Sequence, residues 1–68
     1  MALETWNVAS EFLRKSLGQN NFKSWIEPLQ FVGEKDGTVE FFVPTNFFGN
    51  YVSQHFEEQI LYQMQKSG

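Results

Sequence analysis

Apolar residues recur along the first segment at Trp6, Ala9, Leu13 and Leu17, the spacing of one stripe on a helix over residues 3–17. Leu3 and Phe12 are expected to widen that stripe, while Asn7, Glu11, Arg14 and Lys15 face away. Glu4 near the start and Arg14-Lys15 near the end suit the helix dipole. Gly18 follows as a stop, because glycine tolerates a left-handed conformation. A second, shorter helix is expected after Asn20 or Asn21, whose side chains suit an N-cap. Phe22, Trp25 and Ile26 point inward from it, and Pro28 disfavours helical geometry at Glu27, where it should end.

The period then changes. Residues 29–32 read as a strand, residues 34–37 as a turn signalled by Asp36-Gly37, and residues 38–43 as a second strand. Val39, Phe41 and Val43 share one face of that strand, alternating with Thr38, Glu40 and Phe42. The two strands predict an antiparallel hairpin. Pro44 ends it, and Thr45 or Asn46 caps a long helix to about Gln65. Its core stripe is Phe48, Val52, Phe56 and Ile60, with Phe47, Tyr51 and His55 beside it and Leu61, Tyr62 and Met64 adding apolar surface near the end. The order helix-helix-strand-strand-helix gives an α+β class. A lone hairpin is marginal unless it is covered or extended, so its open edges point to a missing third strand or a partner chain.

With 68 residues, residues 1–68 are read as one small domain. A chain of this size buries only about 60% of its unfolded surface. There is no cysteine to staple it, and His55 is the sole histidine, so disulfides, thiolate metal sites and multi-histidine zinc sites are excluded. Aromatic bulk, 18% of the residues, has to build the core instead. The net charge of −3 and five scattered basic residues argue against duplex DNA, which needs clustered phosphate contacts. Weak single-stranded DNA binding through exposed aromatics remains open.

Neither a signal-peptide pattern nor an apolar run of membrane-spanning length is present, which suits the cytoplasm and no membrane partner. No nucleophile motif surrounds Ser10, Ser16, Ser24 or Ser53, and Gly33 and Gly37 belong to a hairpin turn, not a phosphate loop. Glu57 and Glu58 read as solvated helix surface beside His55. No enzyme activity, cofactor or metal is therefore expected.

The aromatics carry the remaining information. Phe47 and Phe48 are consecutive on a helix and point about 100° apart, so both cannot enter one narrow core. If Phe48 packs inward, Phe47 lies at the rim. Trp6, in the first turn of its helix, is expected to be only partly covered. Trp6, Trp25, Phe47 and Tyr51 can each be core at this spacing, or part of an exposed patch that grips a partner.

Trp6, Leu13, Leu17, then Phe22-x-x-Trp25-Ile26-x-Pro28-Leu29, Val43-Pro44-Thr45-x-Phe47, Tyr51-Val52 and Phe56 together resemble the N-terminal domain (domain I) of bacterial DnaA replication initiators. The resemblance covers nearly the whole chain. It implies a small KH-like α+β domain acting as an interaction hub: self-association, recruitment of the replicative helicase, and binding of regulators of initiation, with weak single-stranded DNA contact as an alternative. A free-standing modulator mimicking such a domain is a further alternative.

By position, Trp6 matches the family tryptophan associated with self-association. Ser24 and Trp25 match positions that regulators touch, and Thr45 and Phe47 match positions used for helicase and regulator contact. Asn21 stands where some members carry an acidic helicase-contacting residue, a charge that asparagine cannot supply. Thr45 replaces a common asparagine, and Tyr51 a frequent tryptophan. The family's third strand has no counterpart before Gly68, and the KH-type GXXG loop is absent, so KH-like describes shape only.

Overall fold

A computed structural model describes residues 2–67. Helix α1 spans Ala2–Leu17, α2 spans Gln19–Asn21 and runs into a π-helical segment, Phe22–Ile26, and α3 spans Asn46–Ser67. Strands β1, Gln30–Lys35, and β2, Thr38–Phe42, form a two-stranded antiparallel hairpin between them. The architecture is α+β in the expected order. Among the described residues the sheet has no third strand.

Local chemistry explains the boundaries. Gly18, at φ 89°, ends α1 and also starts the next helix, with the Phe22 N–H donating to its carbonyl at 3.0 Å. The expected asparagine cap is therefore corrected: Asn20 and Asn21 lie inside the helix. Asn21 instead donates its Nδ2 back to the Leu17 carbonyl at 3.3 Å. The next turn is wider than an α-turn, with the Glu27 N–H donating to the Phe22 carbonyl at 2.8 Å. Pro28, lacking an N–H, stops the run.

The turn is tighter than expected. Asp36 and Gly37, at φ 53° and 78°, both adopt left-handed geometry, as a two-residue type I′ turn requires. Pairing therefore reaches Lys35 and Thr38. A bulge between Phe31 and Gly33 leaves Val32 outside the ladder and facing solvent. Leu29, expected to open the first strand, precedes it and is buried, while Val43 lies just beyond the end of β2.

Thr45 is the cap of α3: its Oγ1 accepts from the Phe48 N–H at 3.0 Å. The helix runs to Ser67, two residues beyond the expected end. Its buried stripe is Val52, Phe56, Ile60 and Met64, and Phe48 is half-buried at the margin.

The core brings that stripe against Ala9, Leu13, Ile26 and Leu29. Leu3 and Phe12 do not widen the buried face of α1; they are 55% and 49% exposed, because α1 is covered along one side only. Trp6 is the larger correction. Its indole is 7% exposed, not left at a rim. The hairpin folds over the first turns of α1 and places Phe31 parallel to the indole at 6.3 Å, with Phe41 edge-on at 4.7 Å. Phe31 and Phe41 are cross-strand partners and meet each other edge-on at 5.8 Å. Each such pair is worth about 0.5–1.5 kcal/mol beyond the area it buries.

Removing that ring is expected to be expensive. Trp6→Ala should lower stability by about 3–5 kcal/mol, read as a large fall in the thermal midpoint by circular dichroism. A variant that melts like the wild type would show that Trp6 does not anchor the hairpin.

Candidate interaction surface

A second group of rings forms where the π-helical segment meets α3. Trp25 lies flat on Tyr51, with centroids 3.9 Å apart and planes 16° apart, and tilts against Phe48 at 5.1 Å. Tyr51 extends the group to His55 at 4.3 Å and to Phe47 at 6.4 Å. The spacing of four along α3 explains this, since residues 47, 51 and 55 share one helical face. Trp25 and Tyr51 are half-buried, whereas Phe47 is 72% exposed. The cap at Thr45 fixes where α3 starts, and with it the direction in which Phe47 projects.

The residues singled out by sequence thus divide. Trp25, Thr45 and Phe47 come together around Tyr51 at the start of α3. Asn21, one turn before Trp25, and Ser24 are exposed on the segment that supports this surface. Trp6 belongs to the other ring cluster, under the hairpin. Tyr51, expected as core or as part of a partner patch, is half-buried at the centre of the group, and His55, to which the sequence assigned no partner role, joins it through its spacing of four from Tyr51.

The α3 side of this surface carries no carboxylate, ammonium or guanidinium group, whereas the supporting segment carries exposed Lys23 and Glu27. Residues 41–56 contain no Asp, Glu, Lys or Arg, although the chain as a whole carries −3. Asn46, Asn50 and Gln54 supply exposed hydrogen-bonding groups around the rings. An aromatic centre depleted of charge, with a neutral polar rim, is the composition of a protein-binding surface. Residues 41–56 supply none of the clustered cations that hold a phosphate backbone. The Arg14–Glu11 ion pair, 2.8 Å long, is exposed on α1 and contributes little to stability. No helix among the described residues is long and apolar enough to cross a membrane.

The sequence profile of the DnaA N-terminal domain matches residues 3–66. The chain belongs to the DnaA N-terminal domain family. It is 50% identical over 68 residues, all of its length, to a chromosomal replication initiator protein DnaA of Ruegeria pomeroyi, covering 14% of that protein. The counterpart of Roseobacter denitrificans is 48% identical over 66 residues, 97% of this chain and 14% of the relative. A more distant one, from Pelobacter propionicus, is 31% identical over 58 residues, 85% of this chain and 13% of the relative. The chain therefore spans about a seventh of the length of these relatives. No solved structure gives a significant match. Family membership places the chain among DnaA N-terminal domains, while the geometry of the ring surface rests on the distances above.

The Thr45 cap is testable on its own. Thr45→Ala should cost about 1 kcal/mol in chemical denaturation, and Thr45→Ser should recover most of it. Equal stability of all three proteins would show that the hydroxyl does not set the start of α3.

Proposed function

We propose that this chain is a protein-interaction module of a replication initiator, working in the cytoplasm, whose partners are the replicative helicase, regulators of initiation and further copies of the initiator. The observation that carries this reading is the exposure of Phe47 at the start of a capped helix, beside Trp25 stacked on Tyr51, in a stretch of residues 41–56 without Asp, Glu, Lys or Arg. A ring held ready by its neighbours loses little freedom on binding, and exposed aromatics of this kind are the usual anchors of an interface. Thr45 sets its direction, and Ser24 and Asn21 extend the contact area on the neighbouring segment. The relatives bear the name of chromosomal replication initiator proteins, and that role comes to this chain as part of the proposal.

Self-association acts through a different place. Trp6 is sealed, so its part is to hold the hairpin on α1 and shape the outer side of that helix, where Leu3, Val8 and Phe12 are exposed. A second copy would meet those side chains and not the indole.

Phe47→Ala tests the main reading. Truncating an anchor at the centre of an interface costs about 2 kcal/mol or more, so the dissociation constant for the purified replicative helicase should rise roughly 30-fold. Folding stability should move by no more than about 0.5 kcal/mol, because the ring is exposed. Unchanged helicase affinity in a folded variant would remove Phe47 from this role. A labelled single-stranded oligonucleotide serves as the competing probe, and micromolar binding with a steep salt dependence that Phe47→Ala abolishes would favour the nucleic-acid reading instead.

A further inference from the structure

The chain crosses from β2 to α3 through Val43, Pro44 and Thr45, and a glycine closes the crossing. Gly49 ends the first turn of α3, its N–H donating to the Thr45 carbonyl at 3.1 Å. The Val43 side chain fills the space that a side chain at 49 would need. A β-carbon built on Gly49 would lie 3.2 Å from Val43 Cγ2, 3.8 Å from Cγ1 and 3.9 Å from Cβ. The first distance is shorter than a relaxed carbon–carbon contact, about 3.5–4.0 Å. Gly18, Gly33 and Gly37 have nothing within 4 Å at the same point, so the close approach is particular to position 49 among the described glycines.

Val43 has little room to give. Its branched β-carbon restricts the side-chain torsion. Pro44 holds its backbone in extended geometry. It is half-buried and packs on the core. A methyl group at 49 would therefore force the connection and the helix apart.

Thr45 transmits that displacement. Its hydroxyl and carbonyl hold the N–H groups of Phe48 and Gly49, so the first turn of α3 moves with the cap. Phe47 lies inside this turn. Being two residues from Gly49, it projects about 200° around the helix, on the side opposite Val43. A contact on the inner side of the turn thus sets the tilt of the ring on the outer side.

We infer that Gly49 and Val43 form a size-matched pair that positions Phe47. The missing side chain at 49 seats the valine, and the seated valine fixes the first turn of α3 and the ring presented beside Tyr51. The consequence for binding rests on the function proposed above; the packing itself does not.

The test is a cycle of Gly49→Ala, Val43→Ala and the double variant. Helix preference alone would make Gly49→Ala raise the folding equilibrium constant roughly fivefold. The clash should reverse the sign, lowering it at least roughly threefold in urea denaturation. With Val43→Ala already present the space is free, and the same substitution should raise it roughly fivefold. Should Gly49→Ala fail to fold, recovery of the fold in the double variant gives the same answer.

The positioning is read at the ring. Nuclear Overhauser contacts between Phe47 and Tyr51 should change in either single variant and return towards the wild-type pattern in the double one. Affinity for the purified replicative helicase should follow them, with a loss smaller than the roughly 30-fold expected for removing the ring. A wild type that does not bind the helicase would sink the proposed function, and the ring contacts would still decide the inference. Three results would overturn it: a Gly49→Ala variant more stable than the wild type, an equal effect of that substitution in both backgrounds, or Phe47–Tyr51 contacts that Gly49→Ala leaves unmoved.

Discussion

The packing of one indole against two phenylalanines holds this molecule together. A two-stranded hairpin has too little surface to be stable alone, and here its attachment to the helices runs through Phe31 and Phe41 closing on Trp6. No disulfide is available to share that task in a chain without cysteine, and the described residues form no metal-ligand cluster. The register follows from the same constraint. The type I′ turn and the bulge at Val32 put Phe31 opposite Phe41 on the inner face, and a slip of one residue would turn both rings to solvent.

The rings form two clusters with different exposure. Under the hairpin Trp6 is sealed between half-buried Phe31 and Phe41, and that cluster holds the fold. At the start of α3 the rings are only partly covered, grading from half-buried Trp25 through Tyr51 to exposed Phe47. That gradient lets one surface be rigid and available at once, because the outer ring rests on inner ones already fixed by packing. The α3 side of that surface, residues 41–56, is aromatic and free of Asp, Glu, Lys and Arg, the composition found at the centre of protein contacts.

The space between β2 and α3 is a second consequence of how the hairpin is covered. Covering β1 with α1 and leaving β2 apart from α3 opens a groove lined by Leu29, Val39, Phe41, Val52 and Ile60.

The order of elements, the stop at Gly18, the Pro28 break, the Asp36-Gly37 turn and the buried stripe of α3 were all legible in the chain, because each depends on local backbone preference or on period. The family was legible too, through the spacing of Trp25, Pro28 and Phe47. Other features needed three dimensions. Asn21 has the chemistry of a cap, but Gly18 had already started the helix. Trp6 has the position of a rim residue, but the hairpin arrives over it from residues 25 and more further on. Leu3 and Phe12 have the composition of core, but no element covers that side. Sequence fixes what each residue prefers within a few neighbours. Burial is decided by which distant segment lands on it, and that depends on the packing of the whole chain.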